Sequence, residues 1–413
     1  MKTWSPERIN RRRLEENLNL VGRIGITKNG SERTAYSIKD IRAKEALVQL
    51  MRRVGLSVSV DGISNIFGRT PQGSGPVLMM GSHVDSVPGG GRFDGIAGVV
   101  AALEVAQTIM EEQIPIRHPI EICCFSAEES SRFGIGTMGS ALMTGELAVE
   151  DAMKLEDREG ISVEEILSKM GATRRTINNA RRQDSELLAY IELHVEQGPV
   201  LETSGKKIGI VTAIAAPTRI RMRFVGRADH SGTTPMNLRK DALAGASEFV
   251  LALEKICSIQ VKQVVGTVGM MSLQPNAMNV VPGNVELGVD IRSVSTEAKN
   301  EAKQRALNEA DEIARKRGLT LEIESLSEEN PVLLHPEMIS LIEQVCKSGQ
   351  IQYETMTSGA GHDAMNMAKI TKAGMIFVPS HMGLSHNRDE WTDLGDIELG
   401  ANCLLQAALR LVS

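Results

Sequence analysis

Apolar positions along this chain recur at two spacings that take turns. Residues 6–22 and 38–54 carry them at helical intervals, with Leu47, Leu50, Met51 and Val54 as a stripe and Gly55 as a stop. Short runs at 58–60 and 65–69 and the apolar stretch 76–80 read as strands. A helix is predicted at 96–112, a strand at 120–125 and another at 188–194. Strands alternating with helices predict an α/β fold whose mixed or mainly parallel sheet is covered on both faces. Residues 135–185 interleave acidic and basic side chains at helical spacing and read as surface.

The texture changes near residue 212. From Thr218 to Gly226, Ile220, Met222 and Phe224 alternate with Arg219, Arg221 and Arg223, as in a strand with one buried face. A helix at 239–257, strands at 262–272 and 284–292, a charged helix at 296–317 and a strand at 319–323 complete a β-α-β-β-α-β series, the ferredoxin-like order. The first pattern then resumes: a helix at 336–348, a loop at 357–366, a strand at 374–378 and a closing helix at 397–411. The expected organisation is one discontinuous domain, 1–211 and 328–413, with a smaller α+β domain, 212–327, inserted into it and hinges near 209–215 and 327–331.

Composition narrows the function classes. At 413 residues the chain exceeds one ordinary core. A net charge of −6, no long Lys/Arg block and 3% aromatics argue against a nucleic-acid partner. No apolar run reaches membrane-spanning length, and residues 1–13 lack a signal-peptide core. Five scattered cysteines (Cys123, Cys124, Cys257, Cys346 and Cys403) fit a reducing compartment, so a cytoplasmic location without membrane partners is expected.

Candidate chemistry gathers where strands end. Gly-Ser-His83-Val-Asp85 closes the strand at 76–80, and Gly89-Gly90-Gly91-Arg92-Phe93-Asp94-Gly95 follows. The glycines lack the Gly-Lys-Ser/Thr ending of a phosphate loop. Glu128-Glu129, His194, His362-Asp363 and Ser385-His386-Asn387 occupy comparable places, while His118, His335 and His381 do not. Imidazoles and carboxylates so placed suit a divalent-metal site. Two ions sharing a carboxylate need two or three such ligands each and a free carboxylate to take the proton of an attacking water, roles that Glu128 and Glu129 could divide.

Gly-Ser-His83-Val-Asp85, Gly-Gly-Arg-Phe-Asp94-Gly, Ala-Glu128-Glu129, Glu-Leu-His194-Val-Glu-Gln-Gly and Leu-Ser-His386-Asn resemble, in order and over nearly the whole chain, the M20 family of metallo-aminoacylases and peptidases. The Glu-Leu-His-Val-Glu-Gln-Gly and Ser-Gly-Ala-Gly-His-Asp motifs are more similar to its branch of N-carbamoyl-L-amino-acid hydrolases, allantoate amidohydrolases and β-ureidopropionases. The resemblance implies a zinc-peptidase-like catalytic domain and an inserted lid and dimerisation domain. It implies two divalent ions (Zn, Mn, Co or Ni) on His83, Asp94, Glu129, His194 and His386, with Asp94 shared, Glu128 as general base and Asp85 orienting His83. His230 would steady the tetrahedral intermediate, Asn279 and Arg292 would hold the substrate carboxylate, and Gln197, Gly359, Gly361 and His362 would line the ureido end. The expected activity is hydrolysis of an N-carbamoyl-L-amino acid to the amino acid, ammonia and carbon dioxide, by a homodimer paired through the inserted domain. Ala215-Ala216-Pro217-Thr218 offers no Asn or Gln amide for a second ureido group, which favours that substrate over allantoate, although Asn276 could serve allantoate.

Overall fold

The computed structural model describes residues 4–259 and 264–413. The first two residues of the strand expected at 262–272 lie outside them. The chain divides into a larger unit, Met1–Thr212 with Leu333–Ser413, and a smaller one, Ala213–Val332.

The larger unit is a mixed α/β structure. Four neighbouring strands run parallel at its centre: Ala373–Val378, Leu187–Val195, Val77–His83 and Ile120–Phe125. Ile66–Arg69 and Ser57–Val60 continue antiparallel on one side, and Ile208–Ile214 pairs antiparallel with Ala373–Val378 on the other. The central strands are buried along their length, which is why they read as apolar runs and not as alternation. The crossover helix Ile96–Glu111 packs on the sheet beside helix Leu394–Val412 and against helix Arg11–Gly22, and is apolar almost all round.

Local signals set several helix ends. Ser37 accepts the amide of Asp40 to open Ile38–Val54, and Gly55 closes it at φ 91°. The helix expected from residue 6 starts at Arg11, because the Asn10 side chain accepts the amide of Arg13 and caps it there. Residues 135–185 are not plain surface. Their short helices Met138–Thr144, Val149–Ala152, Val163–Lys169 and Arg174–Asn178 enclose a cluster of Met138, Leu142, Met153, Val163, Leu167 and Ile177 with Tyr36 and Ile63. Each helix is too short to display a periodic stripe, so only the charge between them is conspicuous.

The smaller unit has an antiparallel sheet in the order Val264–Gln274, Asn284–Ser293, Ala216–Val225, Thr320–Glu328, with helices Ala242–Ile259 and Thr296–Arg317 packed on it. Ile220, Met222 and Phe224 face those helices in its core. On the alternate positions Arg219 meets Asp290, Arg221 meets Glu286 and Glu324, and Arg223 meets Glu286 and Glu322. One face is therefore apolar and the other a ladder of opposite charges.

Candidate metal centre

Parallel strands deliver their C-terminal ends to one edge of the larger unit's sheet, the usual place for a ligand in such folds. His83 ends its strand opposite Phe125 on the next, and His194 lies opposite Phe377. The loop after Phe125 carries Glu128 and Glu129, and the loop after Val378 carries His386. Gly95, at φ 67°, turns the chain into the crossover helix and brings Asp94 back to His83; a Cβ there would stand 2.6 Å from the imidazole.

Asp94 is the hub. Its Oδ1 lies 3.1 Å from His194 Nε2 and 3.6 Å from His83 Nε2. Its Oδ2 lies 3.4 Å from His386 Nε2, which is also 3.2 Å from Glu129 Oε1. Two donor groups result, His83–Asp94–His194 and Asp94–Glu129–His386, each with atoms close enough to hold one cation, and they share Asp94. Glu128 Oε2 stands 3.7 Å from His83 Nε2 and belongs to neither group.

The ring nitrogens facing away are committed. His83 Nδ1 lies 3.0 Å from the main-chain oxygen of Asp85, and His194 Nδ1 lies 2.8 Å from that of Val195. Both rings thus donate from Nδ1 and turn Nε2 toward Asp94, the orientation a metal requires. The expected role of the Asp85 side chain is corrected here. It is the Asp85 backbone that orients His83; the carboxylate stays 3.8 Å from Nδ1 and accepts the amides of Glu128 at 3.3 Å and Glu129 at 3.0 Å. Ala127, at φ 53°, bends the chain so that both amides point to one carboxylate. Ser126 is anchored in turn by the buried Lys44, whose Nζ donates to Ser126 Oγ and to Asp40 Oδ2, each at 2.9 Å.

Electrostatics favour positive charge where these atoms converge. Burial opposes protonation of His83 and His194, but the carboxylates around them win and raise both pKa values. Hydrogen bonds to Asp94 and Glu129 raise that of His386 to about 11. Burial opposes ionisation of Asp94, yet the three imidazoles hold its pKa well below the usual range. His194 Nε2 is buried and, off the line of Asp94, has no hydrogen-bond partner among the described residues. An orphaned imidazole nitrogen, a shared carboxylate and fixed Nδ1 atoms make a donor set that fits divalent ions.

The other expected residues fall into two groups. Gln197, at φ 60°, donates from Nε2 to Asp94 Oδ2 at 2.8 Å, and its buried Oε1 has no hydrogen-bond partner among the described residues. His362 is buried, lies 2.8 Å from Ser358 Oγ and packs edge-on against His194 at 4.5 Å; burial, then the charge of His194, hold its pKa well below the usual value. Gly359 and Gly361 follow strand Tyr353–Ser358. In the smaller unit the two-stranded ribbon Asp229–His230 with Val280–Val281 places Asn279 beside His230. His230 Nδ1 accepts the amides of Gly232 and Thr233, which leaves the proton on Nε2 of an exposed ring. Arg292 faces Pro217 across the sheet and forks onto Asp290, at 2.9 and 3.1 Å.

Two buried acids escaped the sequence reading. Glu192 accepts Ser82 Oγ at 2.7 Å and groups with His194 and His362. It lies two residues before His194 and so shares its face of the strand, a signal that strand periodicity carries. Glu390 accepts the amides of Phe93 and Asp94 from a loop about 300 positions away, and no local pattern announces it.

The chain is 40% identical to an uncharacterized hydrolase of Haemophilus influenzae over 403 residues, covering 97% of this chain and 98% of that one. It is 37% identical to an N-carbamoyl-L-amino-acid amidohydrolase of a Pseudomonas species over 409 residues, covering 97% and 98%. A solved amidase of the hydantoinase/carbamoylase family from Burkholderia multivorans superposes with a TM-score of 0.90 at 33% identity over 99% of both chains. The model of peptidase family M20/M25/M40 matches residues 79–410, a span that holds every donor around Asp94, and the chain belongs to that family.

Proposed function

We propose that this hydrolase cleaves the ureido C–N bond of an N-carbamoyl-L-amino acid, releasing the amino acid, ammonia and carbon dioxide. The observation that carries the ureido reading is Gln197, whose Nε2 is spent on Asp94 while its buried Oε1 lacks a donor among the described residues. A buried acceptor without a partner is costly, and the terminal N–H groups of a carbamoyl end would satisfy it. The full-length likeness to an N-carbamoyl-L-amino-acid amidohydrolase supports the same reading.

His83, Asp94 and His194 would hold one divalent ion and Asp94, Glu129 and His386 a second, with Zn, Mn, Co and Ni all suited to such donors. Ions bound there supply a Lewis acid for the carbonyl and lower the pKa of the attacking water. Glu128 takes the proton of that water and returns it to the leaving nitrogen. With no cation beside it, burial, then the neighbouring Glu129 and Asp363, raise its pKa well above the usual value, and divalent ions at the two donor groups would lower it toward the ionised state a base needs. His230 donates from Nε2 to the developing oxyanion, and its two main-chain partners keep it in the donating tautomer. Arg292 grips the substrate carboxylate with Asn279, while Gly359 and His362 border the ureido end with Gln197.

The smaller unit is proposed as lid and dimerisation domain. Its edge strand Thr320–Glu328 carries Glu322, Glu324 and Glu328, which discourage pairing, but Val264–Gln274 has no charged residue and exposes Val265, Met270 and Met271. That edge is the proposed homodimer contact. All five cysteines are free and buried, which supports a cytoplasmic setting, and no helix among the described residues is long and apolar enough to cross a membrane.

The deciding experiment measures ammonia release by metal-loaded protein from N-carbamoyl-L-methionine, allantoate and N-carbamoyl-β-alanine. The first is expected to turn over fastest. Preference for allantoate would replace the substrate reading and leave the amidohydrolase chemistry, whereas no release from any ureido acid would remove both.

A further inference from the structure

The turn that carries Asp94 is held from one place. Glu390 Oε1 accepts the N–H of Phe93 at 2.9 Å and that of Asp94 at 3.1 Å. Its Oε2 lies 3.2 Å from Ser385 Oγ, and the same hydroxyl lies 3.1 Å from Asp94 Oδ2. Asp94 is therefore held directly at its amide, and the Ser385 hydroxyl, with one proton to donate, stands between its carboxylate and that of Glu390.

Glu390 is 4% exposed, and no basic side chain among the described residues forms an ion pair with it. Burying a carboxyl group whose attraction to the buried Arg33 falls short of an ion pair is unfavourable, so its place in a turn calls for a return. The return is a carboxylate that accepts both amides with one oxygen and leaves the other beside Ser385. The loop is shaped to admit it. A Cβ at Gly91 would stand 2.4 Å from the Cβ and Oε1 of Glu390, so Gly91 clears the space that the acid enters. Part of the glycine run before Asp94 is thus a socket for Glu390.

We propose that Glu390 is the positioning residue of the shared carboxylate. It fixes the Phe93–Asp94 main chain and, through Ser385, works with Gln197 to set the rotation that turns Oδ1 to His83 and His194 and Oδ2 to His386. This rests on the reading of Asp94 as the carboxylate common to two ions.

The test titrates full-length, chelator-stripped protein with Co²⁺ against a competing chromophoric chelator and follows the visible absorption of the bound ion. Wild type is expected to take up two ions per chain; uptake of one or none would overturn the shared-carboxylate reading itself, whatever the variants do. Glu390→Ala is expected to weaken the second ion by about 10–100-fold and to change its visible band. Glu390→Gln keeps the acceptor for both amides and can donate from Nε2 to Ser385, so it should stay within about threefold of wild type, within the scatter that spares an outer partner. A purely structural role would lower the unfolding temperature but leave the second ion's band and its relative affinity alone. Ser385→Ala removes only the arm to Oδ2 and serves if Glu390→Ala does not fold; it too should weaken the second ion. Unchanged affinity and spectrum in folded Glu390→Ala, or in Ser385→Ala, overturns the proposal, as does a Glu390→Gln protein as impaired as Glu390→Ala.

Discussion

The carboxylate of Asp85 accepts the main-chain N–H of Glu129 at 3.0 Å and leaves His83 to its own backbone oxygen. Asp85 thereby ties two strand ends, so its removal should disturb Glu128 and Glu129 more than His83. Asp85→Ala is expected to lower turnover by about 10–100-fold, the usual cost of an outer partner at a metal site. Kinetics at saturating metal check this; full activity would mean that Ala127 holds the bend unaided.

Glu128→Gln should keep the full metal complement and lose about 10²–10⁴-fold in kcat, since it removes a proton acceptor and no donor of either group. Metal analysis beside steady-state kinetics separates the two effects. Near-normal kcat would strip Glu128 of its role.

Lys44 and Asp40 form a buried pair at 2.9 Å that also braces Ser126. Lys44→Met leaves Asp40 buried and unpaired, which should cost about 3–5 kcal/mol. Denaturant unfolding measures the loss. The same variant should also lose kcat, because Ser126 stands two residues before Glu128; an unmoved midpoint would show that the pair contributes nothing.

Arg292→Lys should raise KM for ureido acids strongly, since a point charge replaces a planar fork. Unchanged KM across the substrate series would remove Arg292 from substrate binding.

Val265→Lys with Met271→Lys should convert the proposed dimer to a monomer in light scattering, by placing charges on an edge that has none. If His230 serves the partner's metal site, mixing inactive Glu128→Gln with inactive His230→Ala restores up to half the activity once subunits exchange. Exchange shown by mass without recovery would place His230 in its own subunit's site or in neither.

Much of this was legible along the chain because its causes are local. Ser295 and Gly318 cap Thr296–Arg317, so caps and periodicity agree on that helix. The mixed α/β pattern and the family motifs were readable for the same reason. What escaped depends on distant partners. The apolar residues of 135–185 form a cluster only once Tyr36 and Ile63 join them. The side chain of Asp85 looked like a partner for the nearby His83, and only the Ala127 bend reveals its bonds to Glu128 and Glu129. Glu390 reaches Asp94 across 296 positions.

The larger unit is assembled from two chain segments, and His386 lies on the second. During synthesis 192 residues (386 − 194) separate His386 from His194, a delay of about 10–40 s at about 5–20 residues per second. A nascent chain therefore offers His83, Asp94 and His194 well before Glu129 gains its imidazole neighbour. Completion of the second donor group reports that the C-terminal segment has left the ribosome and docked. Chains truncated before His386 would carry at most half a centre, which makes metal stoichiometry a measure of synthesis past that residue as well as of folding.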